Sequence, residues 1–194
     1  VIIATRNGMI KRSKLKDFKL QRYSKATSCI KLKDDDAVIS AFIEKQNYLF
    51  LTTDSGYGLS FKTDEVPLVG VKAAGVKAIK LKDDNLISIN NYDPSTDEYI
   101  SVITDKSTGK RVRLSEFEIS SRARRGLQVI REVKTNPYHI IKTFITDSKN
   151  YVGLKGEDIT TIKLTELPIS DRYSIGSQIS KQKLIDAYLV AALV

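Results

Sequence analysis

The chain has 194 residues, of which 41% are apolar and 28% charged, which is typical of a globular protein and excludes a disordered or collagen-like chain. A net charge of +9 points to a polyanionic partner such as nucleic acid or a membrane surface. One Cys and one His exclude an internal disulfide and a multi-cysteine zinc cluster, and no apolar run is long enough for a transmembrane helix. The first residues, VIIATRNG, include neither an initiator Met nor a signal peptide, so we expect a fragment of a longer protein.

Four sequence units follow one another along the chain. The segment IKLKDDD at 30–36 returns 49 residues later, at 79–85, as IKLKDDN. An acidic–apolar pair also recurs, and an Ala or Gly follows it eight or nine residues later: Asp17-Phe18 with Ala26, Glu65-Val66 with Gly75, Glu116-Phe117 with Gly126, and Glu166-Leu167 with Gly176. These markers divide the chain into units of 1–45, 46–96, 97–147 and 148–194.

Each unit predicts short β strands. In unit two we expect strands over 48–53 and 57–61 around a turn at 54–56, then strands over 76–81 and 86–89, and at the end of the chain a strand over 184–190. Four strands in about 50 residues fit one blade of a β-propeller. The pattern therefore predicts an all-β fold with four blades, with a tandem of small β-barrels as the alternative.

Basic residues cluster at two positions of the repeat, in the second strand and in the loop before the recurring Gly. Loops at the same place in each blade lie on one rim, so these cations predict a basic band that tracks the phosphates of duplex DNA. We expect Arg124→Ala with Arg125→Ala to weaken binding without unfolding the chain, whereas the equivalent change at Lys181 and Lys183 should do much less. The candidate DNA-binding residues are Lys11, Arg12, Lys14, Arg22, Lys25, Lys72, Lys77, Lys110, Arg111, Arg113, Arg122, Arg124, Arg125 and Arg172.

The same pattern has two other interpretations, a protein-binding propeller, which stays open, and a propeller hydrolase, which is disfavoured. Runs of charged residues also occur on solvated surfaces that bind no nucleic acid. The alternative from another functional class is a propeller that binds protein partners. A propeller hydrolase is disfavoured, because no acidic pair converges on a common centre. The acidic runs at 34–36 and 83–84 are interpreted as turns, His139 as structural, and Cys29 as a packing residue within a strand.

Three motifs resemble the C-terminal domain of the A subunits of type IIA DNA topoisomerases, and of these most closely the topoisomerase IV proteins of the Gram-positive type. They are TRNGMIKRS at 5–13, EVPLVGVKAAGVK at 65–77 and SRARRGLQV at 121–129. The resemblance implies a hairpin-exchanged propeller, or β-pinwheel, whose outer basic rim binds and bends duplex DNA. Because such domains usually have more blades than four, it also implies an incomplete or open ring.

The gyrase A protein is the alternative within this family. Its glycine-rich heptapeptide has no full counterpart here, since the nearest segment, QRYSKAT at 21–27, keeps Gln, Arg and Lys but contains no Gly. Missing glycines remove the tight turns and close backbone approach that this loop needs, which argues against gyrase-type wrapping.

The resemblance also implies a biological setting. The parent would be an ATP-dependent type II topoisomerase acting in decatenation, relaxation of supercoils and chromosome segregation, with the rest of its DNA-cleaving polypeptide and a separate ATPase polypeptide as partners. It would be cytoplasmic and nucleoid-associated, with peripheral membrane association left open. ATP and Mg would bind in other domains. None of the nine Tyr matches the context of the DNA-cleaving tyrosine, so we assign no catalytic residue, metal ligand or cofactor here.

Overall fold

Regular structure in the computed structural model is almost entirely β. It describes residues 1–20, 24–33 and 35–190, and within these ranges it contains 15 strands and four 3-10 helices but no α-helix. None of its helices has the length and hydropathy needed to cross a membrane. The strands are β1 (Ile2–Thr5), β2 (Met9–Arg12), β3 (Val38–Phe42), β4 (Tyr48–Thr53), β5 (Tyr57–Lys62), β6 (Val76–Lys77), β7 (Leu86–Tyr92), β8 (Tyr99–Thr104), β9 (Thr108–Arg113), β10 (Leu127–Gln128), β11 (Ile140–Phe144), β12 (Tyr151–Lys155), β13 (Ile159–Lys163), β14 (Ser177–Gln178) and β15 (Asp186–Leu189). The 3-10 helices span Leu15–Phe18, Thr63–Glu65, Leu114–Glu116 and Leu164–Glu166.

The strands form four antiparallel sheets that exchange strands along the chain. Their orders are β3-β1-β2-β6, β7-β4-β5-β10, β11-β8-β9-β14 and β15-β12-β13. In each of the first three sheets, the last strand comes from the following sequence unit. The predicted four-blade β-pinwheel is therefore confirmed, with three strands in the fourth sheet.

The exchanged strands are shorter than the sequence suggested. The strand expected over 76–81 is limited to Val76–Lys77, and it pairs with Met9 and Ile10 of the preceding unit. The predicted C-terminal strand is present as β15. The expectation for Cys29 was wrong, because this residue lies in an exposed segment outside the strands.

Each sheet has an inner and an outer edge. Strands β3, β7, β11 and β15 contact one another in order, so they form the inner edges at which neighbouring sheets meet. The exchanged strands β6, β10 and β14 lie at the opposite edge. We call this side, together with the loops that lead into the exchanged strands, the outer edge.

Three apolar clusters fill the spaces between successive sheets. In β4, Leu49 and Leu51 belong to the cluster shared with the first sheet, while Phe50 points to the cluster shared with the third. Because a strand presents alternate residues to opposite faces, a sheet covered on both faces needs apolar residues at consecutive positions. The continuous apolar run of β4 therefore reflects its place inside the stack.

The recurring glycines are required by the strand exchange. Gly75, Gly126 and Gly176 each have a positive φ, between 83° and 91°. A Cβ at Gly126 would lie 2.1 Å from the carbonyl oxygen of Gly58 in β5, and Gly75 stands in the same relation to Ile10. Only glycine allows the chain to turn and approach the preceding sheet this closely.

Candidate nucleic-acid interface

Three loops at the outer edge join the second, third and fourth 3-10 helices to the exchanged strands β6, β10 and β14. We call these segments, 66–75, 117–126 and 167–176, the junction loops. Each is hydrogen-bonded to the preceding sheet: Val69 N–H donates to the Arg12 carbonyl at 2.8 Å, Ser120 N–H to Ser60 at 2.8 Å, and Ser170 N–H to Arg111 at 3.0 Å. The loops thus repeat at one side of the stack, as the sequence predicted for the basic positions.

The structure places two of the candidate DNA contacts inside the protein. Lys11 is fully buried and Lys110 is 1% exposed. The Lys110 ammonium donates to the carbonyls of Asp171, Arg172 and Ser174 at 2.7 to 2.9 Å. Burial lowers the pKa of Lys110 to about 8, although the Asp171 and Glu116 carboxylates oppose this shift.

Lys11 has the same role one junction earlier, where its ammonium donates to the carbonyls of Gly70 and Val71. Burial likewise lowers the pKa of Lys11. Because the ammonium groups of Lys11 and Lys110 hold junction loops and are not at the surface, neither group is available to a phosphate in this structure.

Two half-buried arginines of the second strands also hold junction loops. Arg12 Nε donates to the Val66 carbonyl at 2.8 Å, and Arg111 Nε donates to the Leu167 carbonyl at 3.0 Å. Arg12 in addition forms an ion pair with Glu44 at 3.0 Å.

Arg122 and Arg172 hold the loops from the other side. The Arg122 guanidinium donates to the Glu65 and Lys77 carbonyls, and Arg172 donates to the Gln128 carbonyl at 3.0 Å. The recurring acidic residue of units two and three also holds a junction loop, because its carboxylate accepts a backbone N–H from that loop. The Glu65 carboxylate accepts the Arg122 backbone N–H at 2.8 Å, and Glu116 accepts that of Arg172 at 3.0 Å.

Arg125 lies in a buried polar cluster. Its Nη1 is 2.9 Å from Oδ1 of Asp84, whose side chain is 2% exposed, and its guanidinium carbon is 3.9 Å from the centre of the Tyr57 ring. Asp84 also accepts from the Ser55 hydroxyl and, at 2.8 Å, from the Lys82 N–H. Burial by itself raises the pKa of Asp84, but the donors from Arg125, Ser55 and Lys82 together hold it below its usual value. Arg125 therefore makes structural contacts, and they predict that its replacement affects the fold, in contrast to the expectation from the sequence.

The remaining candidates are at the surface, apart from Arg22, which lies outside the described residues. Arg113 pairs with Glu98 at 2.5 Å, but both side chains are more than half exposed, so this pair contributes little to stability. The Arg124 Nε makes a long hydrogen bond, 3.3 Å, to the Ser121 hydroxyl next to it. The exposed candidates are Lys14, Lys25, Lys72, Lys77, Arg113 and Arg124.

Comparison with known proteins identifies the fold family. A family model described as "DNA gyrase C-terminal domain, beta-propeller" matches residues 1–43, 47–90 and 98–147, which is more than half of the chain. The chain belongs to this family. A solved structure, the C-terminal domain of DNA topoisomerase IV, superposes with a TM-score of 0.92 at 40% identity, covering 97% of this chain and 61% of that one. The DNA gyrase A C-terminal domain shares the fold, with a TM-score of 0.79 at 18% identity over 97% of this chain and 64% of that one.

Curated relatives of this gyrase C-terminal domain protein are much longer than the chain. It is 38% identical to the A subunit of DNA topoisomerase 4 from Bacillus subtilis (strain 168) over 180 residues, which cover 91% of the chain and 22% of the relative. For the corresponding protein of Streptococcus pneumoniae serotype 4, the identity is 35% over 209 residues, or 95% and 25% of the two chains. The chain thus spans about a quarter of the length of these relatives.

Two rows of exposed or half-buried cations in this family member recur from unit to unit, and of these the candidates from the sequence included only Lys14 and Arg113. One row follows the exchanged strands β6, β10 and β14 and has Lys31 at the equivalent position of unit one, and the other occupies the residue before each 3-10 helix. The first row is Lys31, Lys80, Arg131 and Lys181; the second is Lys14, Lys62, Arg113 and Lys163. Aligning the four units residue by residue reveals both rows, whereas searching for dense basic runs does not.

The junction between the second and third units brings the exposed cations together. The Lys80 N–H donates to the Arg124 carbonyl at 2.9 Å, and the Lys77 carbonyl accepts from Arg122. Lys77, Lys80 and Arg124 therefore lie on segments that touch, although 44 residues or more separate Arg124 from the other two in the sequence. These three exposed cations therefore belong to one region of the outer edge.

Proposed function

We propose that this chain is the part of the A subunit of a bacterial topoisomerase IV that holds duplex DNA. It would bind and bend the duplex along its outer edge without carrying out chemistry, and it would need no cofactor of its own. The observation that supports this proposal is the recurrence of exposed cations after the exchanged strands, at Lys80, Arg131 and Lys181, with Lys77 and Arg124 on segments beside Lys80. Such cations replace the counterions condensed on the phosphates, a contact that does not depend on base sequence.

The proposed setting follows from the relatives, which are the A subunits of topoisomerase IV. The rest of the same polypeptide would supply the DNA-cleaving tyrosine, and a second polypeptide the ATPase, in a heterotetramer that works at the nucleoid in the cytoplasm. By holding a DNA segment near that core, this domain would help to select the crossings that are passed in decatenation and relaxation.

The test measures the binding of duplex DNA of unrelated sequences at several salt concentrations. If about 6 phosphates are contacted, log K should fall with log salt at a slope near −5, with little difference between sequences. Lys80→Ala with Arg124→Ala should weaken binding and flatten the slope by up to about 2. The matched control is Lys45→Ala with Lys149→Ala, because these exposed lysines follow the inner strands β3 and β11.

Two results would count against the proposal. A slope near zero, or no binding at low salt, would favour the alternative of a protein-binding propeller. Equal losses from the two double variants, with unchanged melting, would mean that only net charge attracts DNA and that the outer edge is not the site.

A further inference from the structure

A row of exposed aliphatic side chains also runs along the outer edge. Leu68, Ile119 and Ile169 occupy equivalent positions in the three junction loops, and they are 53%, 47% and 49% exposed. Leu20 stands at the corresponding place in unit one and is 36% exposed. We call Leu68, Ile119 and Ile169 the aliphatic row.

Backbone pairing fixes the row against the sheets. Leu68 forms an isolated parallel bridge with Arg12, Ile119 with Ser60, and Ile169 with Arg111. The pairing is through the backbone, so it places each residue at the same height on its blade without requiring an apolar side chain. A polar residue would serve the bridge equally well.

The row does not anchor the loops to the core. That task belongs to Val66, Phe117 and Leu167, which lie two residues earlier in each loop and are at most 7% exposed. One exposed aliphatic residue is ordinary on a protein surface. An exposed aliphatic side chain at the same position of every junction loop indicates instead a surface that a binding partner covers.

The charges beside the row indicate what covers it. Lys72 and Arg124 are exposed cations in the same junction loops as Leu68 and Ile119, and Arg111 and Arg172 flank Ile169. These four cations outnumber the exposed carboxylates beside the row, which are those of Glu118 and Asp171. A surface with this charge attracts a polyanion. Between its phosphates, a DNA backbone presents the C–H faces of deoxyribose, and aliphatic side chains can pack on these faces.

We propose that the aliphatic row packs against the sugars of the bound duplex, between phosphates held by the neighbouring cations. This inference rests on the proposed function and adds a second, non-ionic component to it. Burial of apolar surface releases no counterions, so its contribution to binding does not depend on salt in the way that the phosphate contacts do.

The experiment compares two triple variants in the same DNA titrations. Leu68→Ser with Ile119→Ser and Ile169→Ser removes the row. The control, Val38→Ser with Ile43→Ser and Ile185→Ser, removes aliphatic residues that are 40%, 49% and 64% exposed beside the inner strands. The row variant should bind about 10-fold more weakly with an unchanged salt slope, and its heat-capacity change on binding should be less negative. The control should bind within about twofold of the parent chain.

Failure of this inference is distinguishable from failure of the proposed function. If the parent chain binds duplex DNA with a steep salt slope and the row variant binds equally well, the row has another partner and the inference is overturned, while DNA binding stands. Equal losses from both triple variants, or a flattened slope in the row variant, also overturn it. If the parent chain does not bind duplex DNA at low salt, the proposed function fails first. The single variant Ile119→Ser, with a loss of about twofold at unchanged slope, supports the inference without relying on a triple substitution.

Discussion

Replacing Arg125 should destabilise the fold far more than replacing its neighbour Arg124. The Arg125→Ala change leaves the carboxylate of Asp84, 2% exposed, without its charged partner. Removing one partner of a buried ion pair lowers the free energy of unfolding by about 3 to 5 kcal/mol. We expect the lower end, about 3 kcal/mol, because Asp84 keeps its hydrogen bonds from Ser55 and from the Lys82 N–H.

Urea denaturation of Arg125→Ala, Asp84→Asn and the double variant measures this effect. The two single losses should not add, and a coupling of about 1 to 3 kcal/mol is expected between residues in direct contact. Arg124→Ala is the matched control and should stay within about 0.5 kcal/mol of the parent, because its side chain is exposed. A loss from Arg125→Ala as small as that of the control would refute a structural role for the pair.

The Arg125–Asp84 pair should also change how the free energy of unfolding depends on pH in acid. In the folded state the pKa of Asp84 lies below its ordinary value of 3.8, so the folded protein binds this proton less readily than the unfolded chain does. The resulting stabilisation is complete above pH 3.8 and is lost as the pH falls through the folded pKa. Unfolding free energies measured between neutral and acid pH should therefore fall less steeply for Arg125→Ala than for the parent.

Three further predictions concern the junctions. Gly126→Ala should cost about 2 kcal/mol or more in thermal unfolding, because its Cβ would meet the Gly58 carbonyl oxygen at 2.1 Å, whereas Gly70→Ala has open space and should be nearly neutral. Between pH 8 and 10 the folded protein releases the Lys110 proton while the unfolded chain, with a lysine pKa of 10.5, retains it. Because the unfolded chain holds more protons than the folded protein in this window, stability rises with pH. The parent should therefore gain stability relative to Lys110→Met between pH 8 and 10. Parallel pH profiles of the parent and Lys110→Met in urea titrations would contradict this. Deleting 148–194 removes β14 from the third sheet, so the amide protons of β9 that it protects should exchange faster with deuterium while those of β5 remain protected; unchanged exchange at β9 would contradict the pairing.

The four sheets could be predicted because the signals that define them are local in the sequence. The repeat length, the recurring acidic–apolar pair and the glycines at 75, 126 and 176 are all visible without coordinates. The glycine is diagnostic because the backbone approach that requires it occurs once in each exchange. Strand exchange itself was inferred only through the family resemblance, since the partner of β6 lies in another unit, more than 60 residues away.

The roles of individual cations could not be predicted, because they depend on contacts between distant segments. Lys110 and Arg113 are three residues apart in one strand, yet Lys110 is buried by a loop some 60 residues later, whereas Arg113 is exposed. Arg124 and Arg125 are adjacent in the sequence, but it is Arg125 that forms an ion pair, with Asp84, 41 residues earlier. Charge density along the sequence therefore located the outer edge of the fold, but it overestimated the number of free cations there.

Strand exchange has a consequence for how such a chain can lengthen or shorten. Units two to four each carry the outer strand of the preceding sheet, and units one to three each have their sheet completed by the unit that follows. Duplicating one segment of about 50 residues therefore inserts a donor and an acceptor together and creates no new unpaired edge inside the stack. An insertion that is not a whole unit breaks two sheets at once. The fold thus permits changes in blade number by complete repeats, while it opposes changes of any other length.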